Sequence, residues 1–185
     1  DVLAQRGVVI TTKPEEATDA LAKALLADIG PLVQDFVAMR AQEGAALATV
    51  LAAQIDQIGV LTDAAAQAAQ ARAPQVRATL TAALQRVMED IADVDEARLA
   101  QELAVLAVKS DVTEEIDRLK AHVGAARELL ATSQPTGRKL DFLSQEFNRE
   151  ANTLCAKAQA APLTAIGLDL KAVIDQMREQ IQNME

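Results

Sequence analysis

The chain has 185 residues, half of them hydrophobic, with no Trp or Tyr, three Phe, seven Gly and five Pro. That length suits one domain with a substantial core, and so few turn residues beside so much alanine and leucine exclude a turn-rich β protein. A net charge of −9 excludes a chain that coats nucleic acid through bulk electrostatics, leaving room only for a local basic patch. One cysteine, Cys155, rules out an intramolecular disulfide framework and fits a reducing compartment. No apolar run approaches the roughly 20 residues of a membrane span and no signal peptide opens the chain, so no membrane partner is expected.

Residues 1–13, beginning DVLAQRGVVI, read as an extended linker from a missing N-terminal domain, because the first residue is Asp rather than Met. Residues 14–185 form the helical domain. Thr12 and Glu15 have capping-box spacing, with Pro14 tolerated in the first turn. Leu21, Leu25, Ile29, Leu32, Phe36 and Met39 then recur at helical spacing, with a kink or break expected at Gly30-Pro31. The pattern resumes with Leu47, Leu51, Ile55 and Ile58 and runs into the alanine-rich TDAAAQAAQARA, residues 62–73. Pro74 marks a helix start or a hairpin tip, and Val76, Leu80, Leu84, Val87 and Ile91 return along the partner helix. Residues 45–92 are therefore expected to form a protruding antiparallel coiled-coil arm. Further helices are expected from Glu96 to Ala131, from Arg138 to Ala160 and from Pro162 to near Met184. The fold class is all-α, a bundle of long helices carrying that arm.

Two helices carry polar stripes beside their apolar faces. In the first, Val105, Val108, Val112, Ile116, Leu119, Val123 and Leu130 share one face, while Asp111, Glu115, Arg118 and His122 form a narrow stripe about 100° away. In the second, GRKLDFLSQEFNREANTL at residues 137–154, the core stripe is Leu140, Leu143, Phe147, Ala151 and Leu154. Asp141, Gln145, Asn148 and Asn152 make a polar stripe beside it, and Glu146 and Glu150 stack one turn apart on the other flank. Phe142 points nearly opposite the core, next to Arg138 and Arg149. Periodicity alone leaves these stripes open between a lattice of ion pairs, each worth tenths of a kcal/mol, and a catalytic surface. No P-loop, HExxH, GxSxG or paired CxxC occurs.

DVTEEIDRLKAHV, GRKLDFLSQEFNREANTLCAKA and the ending LKAVIDQMREQIQNME closely resemble the C-terminal domain of the bacterial YicC/YloC-like proteins. DVLAQRGVV and MRAQEGAAL resemble the same family, whereas the alanine-rich stretch around residues 60–90 matches only in helical character. The resemblance implies a cytoplasmic, stress-induced, metal-dependent endoribonuclease assembled as a ring-like homohexamer, with RNA as partner and other RNA-decay proteins as further candidates. Phosphodiester hydrolysis needs an activated nucleophile, charge neutralisation at phosphate and a proton for the leaving oxygen. On the positions matching the family's motifs, Asp111, Glu115, His122, Asp141, Glu146 and Glu150 are the candidate ligands for Mn²⁺ or Mg²⁺. Glu115, His122, Glu146 and Glu150 are the candidate catalytic groups. Arg118, Arg138, Lys139, Phe142, Arg149 and Asn152 are the candidates for RNA binding. The rival reading is an RNA-binding, oligomerisation or adaptor module whose stripes serve interhelical and intersubunit networks.

Overall fold

Apolar side chains recurring every three or four residues build an all-α fold in the computed structural model, which describes residues 18–90, 96–132 and 134–184. Among these residues there are five helices and no strand: α1 (Thr18–Asp90), α2 (Glu96–Lys109), α3 (Thr113–Ala131), α4 (Gly137–Lys157) and α5 (Ala161–Gln182). The expected linker at residues 1–13 and the Thr12–Glu15 cap lie outside the described residues. The chain divides into two compact units, Asp1–Ala45 and Ala46–Glu185.

In the first unit the described residues are all α1. Leu21, Leu25, Leu26, Ile29, Leu32, Val33, Phe36, Val37 and Met39 are exposed along it, and the Arg40 guanidinium lies 5.9 Å from the Phe36 ring centre. The helix runs through Gly30-Pro31 without the break that the sequence suggested.

The second unit holds the core. Leu51, Ile55, Ile58 and Ala65 of α1 join Ile116, Leu119 and Val123 of α3, Leu140, Phe147 and Leu154 of α4, and Leu163, Leu170, Ile174 and Met177 of α5. The helices α3, α4 and α5 run up, down and up. Gln159 makes the second reversal in the left-handed region (φ 47°), and Pro162 opens α5 in its first turn, where no N–H is needed. At Gly167 a Cβ would fall 2.5 Å from Cys155 Sγ, so glycine is what lets α5 approach α4 this closely.

Further expectations are corrected. Among the described residues there is no antiparallel arm at 45–90: α1 passes through Pro74 as one helix to Asp90. A hairpin needs residues that reverse the chain, and QARAPQVRA offers no Gly, Asn, Asp or Ser. Proline's fixed φ is itself helical, and the alanine-rich flank offsets the lost hydrogen bond. The single helix expected from Glu96 to Ala131 is two, parted at Ser110–Val112, where Asp111 Oδ1 accepts the Thr113 N–H (2.9 Å) and hydroxyl (2.7 Å) and starts α3 afresh. Val105 and Val108 belong to α2 and are exposed rather than on a core face. One stretch of α1 within Asp19–Ala83 is also long and apolar enough by composition to cross a bilayer, contrary to the sequence reading. That same span supplies Leu51, Ile55 and Ile58 to the core.

Candidate metal centre

The seam between α3 and α4 is built by two offset stripes meeting antiparallel. On α3, Glu115, Arg118 and His122 follow at i, i+3 and i+7, which keeps them on one face; on α4, Glu146, Glu150 and Lys157 follow at i, i+4 and i+11 and share a face likewise. Because the helices run in opposite directions, the low numbers of one face the high numbers of the other. Lys157 Nζ donates to Glu115 Oε1 at 2.7 Å, Arg118 Nη1 donates to Glu150 Oε1 at 3.2 Å, and the His122 ring meets Phe147 edge to face at 5.6 Å.

The seam is partly dry. Glu115 is 4% exposed and Glu150 3%, so each carboxylate needs a counter-charge to persist there. Lys157 supplies one to Glu115, whose Oε2 is nonetheless buried without a partner. Arg118 supplies one to Glu150 and bonds Glu114 with its other terminal nitrogen. The Glu150 and Glu114 carboxylates hold the Arg118 proton more tightly than usual, raising its pKa. Glu146 is bridged at 3.7 Å by the exposed Arg149.

At the His122 end of the seam, donor atoms from His122, Glu146 and Glu150 all lie within 4.8 Å of one another. One ion about 2.1 Å from each donor needs them within about 4.2 Å, close to the spread found here. His122 Nε2 is buried and has no hydrogen-bond partner, which costs about 1–3 kcal/mol unless a ligand or proton meets it. One imidazole with two carboxylates suits Mn²⁺ better than Mg²⁺, which favours all-oxygen shells. These residues therefore fit a divalent cation.

Other sequence candidates lie elsewhere. Asp111 sits at the α2–α3 break, its pKa held below the usual value by the Thr113 hydroxyl and N–H. It lines a cavity of about 760 Å³ between α1, α2 and α3 rather than the seam. Glu115 is in the seam but committed to Lys157. The stripe of Asp141, Gln145, Asn148 and Asn152 turns toward α5: Asn152 donates to Asn148 (2.7 Å), Asn148 to Asp175 (3.1 Å) and Gln145 to Asp141 (3.0 Å). It is thus the Glu146/Glu150 flank of α4, not the amide flank, that meets the α3 stripe. Arg138 and Lys139 are exposed in the first turn of α4, and Phe142 is 63% exposed one turn on.

Residues 65–185 match the family described as endoribonuclease YicC-like, C-terminal. The chain belongs to the YicC-like endoribonuclease family. It is 42% identical over all 185 residues to a protein of Haemophilus influenzae named probable endoribonuclease YicC, covering 63% of that protein. It is 36% identical over 147 residues to a Clostridioides difficile protein of the same name, with 80% of this chain and 50% of that one aligned. The chain thus spans between half and two thirds of the length of these relatives.

Three residues that build or brace this YicC-like seam were missed in the sequence. Lys157 continues the Glu146/Glu150 flank seven residues on, a helical spacing that was there to be read. Glu114 looked like one acid among many. Arg72 had no signal at all, embedded as it is in alanines of α1. Its guanidinium donates to the carbonyls of Lys157 (3.0 Å), Ala158 (2.5 Å) and Ser110 (2.6 Å), closing the C-terminal ends of α4 and α2 together. Burial lowers its pKa, partly offset by the nearby Asp111 carboxylate.

Proposed function

We propose that this chain supplies the divalent-metal centre of a YicC-like endoribonuclease, with His122, Glu146 and Glu150 as ligands and RNA as substrate. The observation that carries the reading is their convergence across the α3–α4 seam, together with the buried, unpartnered Nε2 of His122. When bound, the cation would polarise a phosphate oxygen and acidify a water. The chain's own residues do the rest. Glu150, 3% exposed, is a preorganised anion, while Glu146, 28% exposed at its side chain, faces both the seam and solvent. Arg118 and Arg149 flank these acids and offer forked donors to phosphate. Arg138, Lys139 and Phe142, exposed at the start of α4, would hold the strand through its phosphates and a stacked base. The same reading carries homohexameric assembly and a cytoplasmic setting as further parts of the proposal.

The test is Mn²⁺ binding by electron paramagnetic resonance together with RNA cleavage by a complete YicC-like protein containing this sequence. His122→Ala and Glu150→Gln should each weaken Mn²⁺ binding at least about tenfold, in line with losing a ligand, and should abolish cleavage with helicity retained. Unaltered Mn²⁺ binding in both variants would remove the site.

The adaptor reading keeps one observation in its favour. Nine large apolar side chains between Leu21 and Met39 are exposed along α1, a surface fitted to protein partners rather than to phosphate. Metal-dependent cleavage that survives in the complete protein after loss of all three ligands would favour it.

A further inference from the structure

Arg118 meets two carboxylates of opposite character. Its Nη1 donates to Glu150 Oε1 at 3.2 Å, and its Nη2 donates to Glu114. The Glu150 side chain is 3% exposed, the Glu114 side chain 67%, and that of Arg118 itself 48%. One end of the bridge is therefore fixed in the seam and the other is free to move with solvent. Beside Glu150 stand His122 and Glu146, whose donor atoms complete the cluster within 4.8 Å, and neither is a permanent cation. Among the described residues, Arg118 is the ion-pair partner of Glu150. A guanidinium on Glu150 and a divalent ion on Glu150 answer the same electrostatic demand, so each weakens the case for the other.

We infer that Arg118 is a positioning residue that exchanges partners: it neutralises Glu150 until that carboxylate takes a divalent cation, and the released Nη1, with Nη2 still anchored on Glu114, then takes a phosphate oxygen of the RNA. No covalent bond changes. The inference deepens the metal-centre reading and rests on it. Its content is a coupling: metal and RNA backbone each improve the other's binding through one side chain, and the coupling is reciprocal. It also accounts for an acidic seam that accepts a polyanion, because the guanidinium turns outward only when the acids are otherwise satisfied.

The experiment titrates Mn²⁺ by electron paramagnetic resonance, with and without a 2′-O-methyl oligoribonucleotide that binds but resists cleavage. The proteins are the wild-type chain, Arg118→Gln and Arg118→Lys, with His122→Ala as the baseline for scattered surface sites. Without oligonucleotide, Arg118→Gln should bind Mn²⁺ about tenfold more tightly than wild type, because its competitor is gone. The oligonucleotide should tighten Mn²⁺ binding about tenfold in wild type, a coupling of ordinary size. It should do so hardly at all in Arg118→Gln. Arg118→Lys keeps a charge on Glu150 but lacks the fork needed to hold Glu114 and phosphate together. It should fold like wild type, bind Mn²⁺ like wild type and lose the oligonucleotide effect. Equal or weaker Mn²⁺ binding in Arg118→Gln, or an undiminished oligonucleotide effect in both variants, overturns the exchange while leaving the metal centre standing. Wild-type binding no tighter than the His122→Ala baseline overturns both.

Discussion

Lys157 gives Glu115 its cation at 2.7 Å, and the carboxylate it serves has a side chain only 6% exposed. Lys157→Met should leave that carboxylate uncompensated and cost about 3–5 kcal/mol. Glu115→Leu combined with Lys157→Met should recover most of the loss, since the pair vanishes together; urea unfolding of the two variants compares them. Asp111 makes a smaller contribution with a defined pH signature. Its folded pKa is depressed below the ordinary 3.8, by the Thr113 hydroxyl first and its N–H second. The carboxylate therefore stabilises the fold above that ordinary value, and the gain is lost as pH falls through the lower folded one. Asp111→Ala should cost about 0.5 kcal/mol at neutral pH, the low end for a net hydrogen bond because the group is exposed to solvent. The difference from wild type should close in acid below the ordinary carboxyl range, as read from thermal melts across pH.

At the scale of elements, α1 is where sequence and structure part most clearly. Within the second unit it is straight-through helix on both sides of Pro74, so spin labels at Ala53 and Arg86 should lie about 50 Å apart at 1.5 Å per residue. A hairpin tipped at Pro74 would bring the same labels within about 20 Å, at neighbouring-helix spacing; pulsed dipolar spectroscopy on a chain with Cys155 replaced by Ser separates the two. The reading failed there because alanine reports helix without reporting direction. Large apolar residues tell which face is buried, and the stretch from Asp63 to Arg72 has none. By contrast α4 was legible nearly residue by residue: Leu140, Phe147 and Leu154 stood in the core stripe and are buried, and Phe142 stood opposite and is exposed. The α2–α3 break escaped because Val108, Val112 and Ile116 keep helical spacing straight across it. Only the Asx-type bond from Asp111 to Thr113 reveals it, and a side chain's choice of its own backbone is not written in periodicity.

Across the whole molecule the net charge of −9 sets the terms on which the proposed RNA substrate would bind. Four cations are candidates for the RNA backbone: Arg118 and Arg149 beside the proposed centre, and Arg138 and Lys139 at the start of α4. If each meets one phosphate, log K for a single-stranded RNA should fall against log salt with a slope of about −3, and the slope should steepen by no more than the added metal explains. Fluorescence anisotropy over a salt series measures it, and a slope near zero would place RNA elsewhere. Of the candidate site itself, the sequence showed which helix faces were polar but not which faces meet. His122, Glu146 and Glu150 were all named, yet they were grouped with Asp111 and Asp141, which pair locally instead. Pairing across helices depends on how α3 and α4 are rotated, and that rotation is set by core side chains such as Phe147 and Leu119 rather than by the acids. The Arg72 guanidinium carries this dependence further. It belongs to a helix that contributes no residue to the seam, yet it clasps the carbonyl of Lys157 and its neighbour while holding Ser110, just before Asp111, at the entry to α3. Both rails of the seam are thus pinned at one end by a single remote side chain, and any partner that grips α1 near Arg72 has a lever on the charge pattern of the seam.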